Sequence, residues 1–309
     1  MTLDPQVLRV FAGLFGALAV FSLAGFVLAK TKPGPVVDNL NARIRAWWIM
    51  VGVFAVAIVF DKAGATLLFG LLSFLALREY ITLTPSAPGD HRALFWAFFV
   101  ILPLQYWLVW TRWYGLFSVF VPVYAFLWTA TRVALAGDCE RFLERTAKIQ
   151  WGLMVCVYFV SHAPMLLALE IKNHAGSAAL LLLFLVIVVQ SSDVLQYCWG
   201  KLFGRHKIAP RLSPSKTWEG FIGGVLSASA LGAALCGITP FTWWQAALLS
   251  LLITLMGFFG GLVMSAIKRD RGVKDYGSSL PGHGGIMDRI DSLCFAAPVF
   301  FHCVRYWWT

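Results

Sequence analysis

WWQAALLSLLITLMGFFGGLVM, Trp243 to Met264, carries no Lys, Arg, Asp or Glu, and it breaks at Ser265 into SAIKRDRGVKDYGSSLPGHGGIMDRID, which ends at Asp291. A bilayer core about 30 Å thick takes roughly 20 apolar residues per helix, because an unpaired peptide group in hydrocarbon costs several kcal/mol and a helix pairs its own. The first half of the quotation therefore predicts a membrane span, and the second half a polar connection with more charge than a mere loop needs. Outward from there, the same criterion selects about ten segments: 7–29, 47–60, 63–77, 93–110, 114–130, 149–169, 177–190, 220–239, 243–264 and 292–308. The second and third are short and split only by Asp61-Lys62, which predicts a helical hairpin that does not fully span. Strand-like alternation is missing, so a barrel is excluded.

The 309 residues are 59% hydrophobic and 13% charged, with a mean hydropathy of +0.74. Soluble domains hold about 45–50% apolar and about 25% charged residues, so the expected fold is an all-α polytopic membrane protein of about 8–10 transmembrane helices. The formal charge is +10, but the basic residues are scattered among short connections and form no long tract, so a nucleic-acid partner is not expected. Six cysteines without C-x-x-C spacing predict neither a disulfide framework nor a zinc site. The first apolar run lacks a basic leader and precedes further spans, so it reads as a retained helix. Residues 1–176 read as N-terminal transmembrane helices and 177–309 as the C-terminal region bearing the chemistry, in one structural unit.

With ten spans, one membrane side receives 20 of the 25 Lys and Arg, in connections 30–46, 78–92, 131–148, 191–219 and 265–291. By the positive-inside rule that side is cytoplasmic, which predicts a multi-pass protein of the cell's inner membrane with its site facing the cytoplasm. Paired tryptophans at Trp47-Trp48, Trp243-Trp244 and Trp307-Trp308 suit the headgroup layer.

Two of the basic connections are long and polar, Ser191–Gly220 and Ser265–Asp291, and both fall on that side. The second sets Lys268, Arg269, Arg271, Lys274 and Arg289 against Asp270, Asp275, Asp288 and Asp291. This mixture suits phosphates held with a divalent cation, since Mg²⁺ takes carboxylate oxygens and shares its other positions with water and phosphate, while Lys and Arg neutralise what the metal does not reach. If the last helix opens near Met287, Asp288 and Asp291 project from one face within reach of a single metal; either alone reads as well as a helix cap. The glycines around His283 give a tight turn whose N–H groups can approach an anion, and His283 is either a loop residue or part of that site.

In the first connection, Ser213-Pro-Ser-Lys-Thr-Trp-Glu-Gly220 leads into an apolar run and reads in part as a capping box, with Ser213 or Ser215 as cap and Glu219 in the first turn. That leaves Lys216 at a helix N-terminus, where the macrodipole disfavours a cation and a bound phosphate would offset the cost. Asp193, closing the run 177–190, is either a third carboxylate or a solvated boundary residue. The basic stretch around Lys201, Arg205 and Lys207 also suits anionic lipid.

Ser265 to Asp291 resembles the signature of the CDP-diacylglycerol synthase (phosphatidate cytidylyltransferase) family, S-x-x-K-R, then K-D, P-G-H-G-G and D-R-x-D, at every fixed position. SPSKTWEG, GKLFGRHKIAP and Ala76-Leu-Arg-Glu-Tyr80 are also similar to that family, so the resemblance covers residues 191–309 well and the N-terminal half mainly through its spans. It implies a nucleotidyltransferase that makes CDP-diacylglycerol and pyrophosphate from CTP and phosphatidate, or a related lipid phosphate, with Mg²⁺, in phospholipid biosynthesis. By that resemblance Asp288 and Asp291 hold metal, with Asp193 the further candidate ligand from its position, and Lys268, Arg269, Lys274, Arg289 and Lys216 grip phosphates. Asp275 and His283 complete the polar site, and Ser213, Thr217, Gly284 and Gly285 line the nucleotide. CTP, the lipid phosphate and membrane lipids are the expected partners, and a homodimer stays open. Two departures stand out. Family members carry a Gly-Asp pair four residues before the signature serine, where this chain has Gly260-Gly261, and an Asp-x-Gly-Ala-Tyr run where it has Asp193-Val-Leu-Gln-Tyr197. They imply a divergent paralogue, with a second metal ion in question. The alternatives are a catalytically weakened relative that binds nucleotide or anionic lipid, and a cytidylyltransferase for another lipid phosphate.

Overall fold

The computed structural model describes residues 4–84, 86–172, 176–279 and 284–309. Its elements are α1 (Pro5–Thr31), α2 (Pro35–Val59), α3 (Asp61–Leu83), α4 (Pro88–Thr111), α5 (Tyr114–Ala134), α6 (Phe142–Ala168), α7 (Ala179–Phe203), β1 (Lys207–Ala209), β2 (Ser213–Thr217), α8 (Trp218–Ile238), α9 (Trp243–Asp270) and α10 (Met287–Trp308). The protein is all-α and polytopic. Among the described residues α1 to α9 are each long and apolar enough to cross a bilayer, and α10 has 22 residues with acidic Asp288 in its first turn and basic Arg305 in its last.

Several helices outrun their apolar cores. α2 and α3 have 25 and 23 residues, about 35 Å each at 1.5 Å per residue, so the expected partial hairpin is replaced by two helices of spanning length. The apolar segments begin at Trp47 and end at Leu77, but the helices continue through Asp38–Arg45 and Arg78–Thr82, since beyond the hydrocarbon a helix carries polar side chains without penalty. For the same reason α7 continues past Gln190 to Phe203 and α9 past Met264 to Asp270, so Asp193 and Lys268 stand on helix walls. What remains of the first polar connection folds as an antiparallel hairpin with Lys207 opposite Thr217 and Ala209 opposite Ser213.

α7 is the central helix. Leu180 to Leu185 are each no more than 2% exposed, as expected for a helix apolar all round and enclosed by neighbours. α8 packs backbone to backbone on its outer half: a Cβ at Gly224 would lie 2.7 Å from the Gln196 backbone, a close approach that only glycine permits. α1 and α2 leave Val20, Phe21, Leu23, Ile49 and Val56 exposed, a surface suited to lipid.

The two ends of the bundle are distinct. At one, Asp4 accepts from the Ser177 N–H (3.1 Å) and the Lys172 ammonium donates to the Thr309 carbonyl (2.8 Å), which gathers the start of α1, the α6–α7 connection and the C-terminus. At the other, Glu79 at the end of α3 reaches the start of α10. The hairpin and residues 271–279 and 284–286 share that second end.

Candidate active site

The segment between α9 and α10 is folded around Asp288. Its Oδ1 accepts from the Lys268 ammonium (2.7 Å) and its Oδ2 from the backbone N–H groups of Tyr276 (2.8 Å) and Gly285 (2.9 Å). The Asp288 and Lys268 side chains are 4% and 11% exposed, so the ion pair is buried. Gly284 takes φ +78°, and a Cβ there would lie 2.8 Å from Asp288 Oδ2, so both the turn and the space require glycine. Tyr276 lies under the loop with its hydroxyl donating to the Met264 carbonyl (3.2 Å), and burial pushes that phenol well above the ordinary tyrosine value. Glu79 closes the arrangement from α3. Its Oε1 accepts from Ser279 Oγ (2.7 Å) and the Ile286 N–H (3.0 Å), its Oε2 from the Met287 N–H (2.9 Å). A carboxylate on unpaired N–H groups at the start of a helix is favoured by hydrogen bonding and by the helix dipole.

One turn along α10, a second group forms. Ser292 Oγ lies 3.1 Å from Asp193 Oδ1 of α7 and 3.4 Å from Asp291 Oδ1, so one hydroxyl proton serves two carboxylates from different helices. The Ser292 N–H also donates to Asp291 Oδ1 (2.7 Å). Lys216, the penultimate residue of β2, extends toward them with its Nζ 4.4 Å from the centre of the Phe258 ring. Burial pulls its ammonium below the usual lysine value, the carboxylates of Asp193 and Asp291 act in the opposite direction, and Lys268 again lowers it. Lys216 makes none of the ion pairs among the described residues. Arg289 Nε is likewise buried without a hydrogen-bond partner there. Two carboxylates facing unpaired cationic donors are an arrangement for phosphate oxygens with a metal ion between. No set of three or more His, Cys, Asp or Glu side chains forms a protein cage among the described residues. Two carboxylates nevertheless suit Mg²⁺, which keeps waters and substrate phosphates in its other positions.

The structure thus draws Asp193, Lys216, Asp291 and Arg289 into one group, with Lys268 and Asp288 adjoining. Both oxygens of Asp288 accept hydrogen bonds from the chain, whereas Asp291 shares the Ser292 hydroxyl with Asp193. Arg269 donates from Nε to the Leu212 carbonyl (3.1 Å) and from Nη1 to Val273 (3.0 Å), fastening the hairpin to the signature segment. Lys274 and Asp275 are exposed beyond the loop. Ser213 sits in the hairpin opposite Ala209. The cap of α8 is Thr217, which accepts from the Gly220 N–H (3.1 Å), and this corrects the expected Ser213 or Ser215. Lys216 lies in the strand, directly before that cap. Glu219 does not close a capping box but accepts from the N–H of Arg205 (3.0 Å) and from His206 Nδ1 (2.6 Å), because the hairpin folds back over the start of α8. Pro281, Gly282 and His283 lie outside the described residues. Sequence reasoning missed Ser292, whose signal was its place directly after Asp291, and Phe258, which looks like ordinary span lining. Glu79 stood in the quoted resemblance without a role.

The family model for the cytidylyltransferase family matches residues 41–307. The uncharacterized protein YnbB of Escherichia coli is 43% identical over 300 residues, 96% of this chain and 98% of its own. The phosphatidate cytidylyltransferase of Bacillus subtilis is 32% identical over 269 residues, 85% of this chain and 93% of its own. That of Mycobacterium leprae is 42% identical over 174 residues, 55% of this chain and 53% of its own.

Proposed function

The chain belongs to the cytidylyltransferase family, an enzyme family of nucleotidyl transfer, and from that premise we propose that it converts CTP and phosphatidate to CDP-diacylglycerol and pyrophosphate at the site built on Asp193, Asp291, Lys216 and Arg289. A phosphate oxygen of the lipid attacks the α-phosphorus of CTP and forms the new P–O bond. The bond from that phosphorus to the β-phosphate oxygen breaks, and pyrophosphate leaves with the electron pair. Asp193 and Asp291 would hold a Mg²⁺, which would supply Lewis-acid neutralisation of the phosphate oxygens. The protein's own part is positioning and charge. Lys216 and Arg289 face those oxygens as unpaired donors, Asp288 with Lys268 fixes the loop, and Ser292 holds the two carboxylates in register.

The observation that carries this reading is the meeting of Asp193 and Asp291 opposite a Lys216 without an ion-pair partner, at the end of a bundle of apolar helices. The concentration of 20 of 25 Lys and Arg in the connections at that end supports a cytoplasmic site in the inner membrane, where CTP is available. The test is formation of CDP-lipid by the purified protein in detergent, requiring both CTP and Mg²⁺; lack of product with phosphatidate and other lipid phosphates would end the proposal. Gly261 favours one second reading, a slower paralogue acting on a different lipid phosphate. The same assay across a panel of acceptors separates the two.

A further inference from the structure

Gly261 lies on the wall of α9 that faces the two carboxylates. A Cβ built there would meet Lys216 Nζ at 3.0 Å and Ser292 Oγ at 3.8 Å, and nothing else among its three nearest atoms within 4 Å. The missing side chain therefore leaves room for an ammonium. Lys216 reaches that room from β2, with its Nζ over the Phe258 ring, one α-helical turn before Gly261. A lysine ammonium over an aromatic face gains a cation–π contact that grows with desolvation, which holds the charge there without an ion-pair partner. Asp193 and Asp291 act electrostatically on Lys216, yet neither forms an ion pair with it within 4.0 Å. One cation is thus already fixed beside the two carboxylates, on the side where a further metal would need another ligand.

We propose that Lys216, seated over Gly261, is the second cation of this site, so that the enzyme works with one divalent ion and a lysine ammonium in the place of another. This rests on the function proposed above and deepens it. Two divalent ions at such a site clamp attacking and leaving oxygens; here one of those roles falls to an ammonium that is delivered with the fold and is not exchangeable. A carboxylate at position 261 would engage Lys216 and supply the absent ligand, so glycine at 261 and lysine at 216 operate as a pair.

The experiment counts bound Mn²⁺ by electron paramagnetic resonance on the full chain in detergent, with CTP present and lipid absent. The expected count is one Mn²⁺ per chain, rising to two in the double variant Gly261→Asp, Lys216→Ala, where a carboxylate is added and the ammonium removed. A native count of two, or of none, overturns the inference, and so does a folded double variant that still holds one. The native count needs no variant to fold. It also separates the two proposals, because a protein that makes CDP-lipid with two bound Mn²⁺ keeps the function and loses this inference, whereas one that makes no product yet binds one Mn²⁺ loses only the reaction.

Discussion

Asp288 and Asp291 are a single helical turn apart, but their neighbours give them different work, and substitution separates the two. Asp291→Asn or Asp193→Asn keeps shape and removes the charge needed beside phosphate and metal. Turnover should fall by at least about 100-fold, equivalent to the several kcal/mol that a metal and its ligands contribute, with little change in the melting temperature. Asp288→Asn instead leaves the Lys268 ammonium buried without its ion-pair partner, and breaking a buried pair from one side costs about 3–5 kcal/mol. Its signature is a marked drop in melting temperature, measured in detergent without ligand. Equal stability of Asp288→Asn and Asp291→Asn would show that the two carboxylates are not divided in this way. At this scale the sequence was most informative about residue types and least about partners. The signature held the acidic and basic side chains, but Asp193 is almost 100 positions from Asp291, and no local spacing tells which carboxylate folds against which.

Helices and their ends form the next level. Glu79 ties α3 to α10 by accepting from two backbone N–H groups and a serine hydroxyl. Glu79→Ala removes a cap worth about 1–2 kcal/mol and frees the loop that carries Asp288. We expect a lower melting temperature and a raised KM for CTP. Glu79→Gln keeps one acceptor oxygen and should fall between native and alanine. An unchanged KM in a folded Glu79→Ala protein would show that the latch does not shape the nucleotide site. The positions of the spans were legible because lipid demands uninterrupted apolar length. Their ends were not, because outside hydrocarbon a helix continues on weak local preference, as α7 does through Ser191–Phe203 and α9 through Ser265–Asp270. The hairpin carrying Lys216 escaped notice for a related reason: eight residues of strand are too few to show alternation, and their order comes from Arg269 and Glu219 gripping them from outside.

For the molecule as a whole, charge sets the direction in the membrane and the contacts between distant segments fix which ends share a side. The start of α1, the α6–α7 connection and the C-terminus meet at one end, and the Glu79 latch stands at the other. Alternation of ten helices satisfies both, whereas the loss of any single crossing would break one of these pairings. Thiol chemistry reads the orientation directly. Cys139 is exposed and lies in the α5–α6 connection at the basic end, whereas Thr309 lies at the opposite end. In spheroplasts carrying single-cysteine variants, a membrane-impermeant maleimide should label Thr309→Cys at once and Cys139 only after permeabilisation. In inside-out vesicles the order should reverse. Labelling of Cys139 in intact spheroplasts would place the basic end outside, away from CTP. Labelling of both positions from one side would mean an even number of crossings between them in place of the five helices α6 to α10, since residues at opposite ends of the bundle cannot share a membrane face unless a helix fails to span.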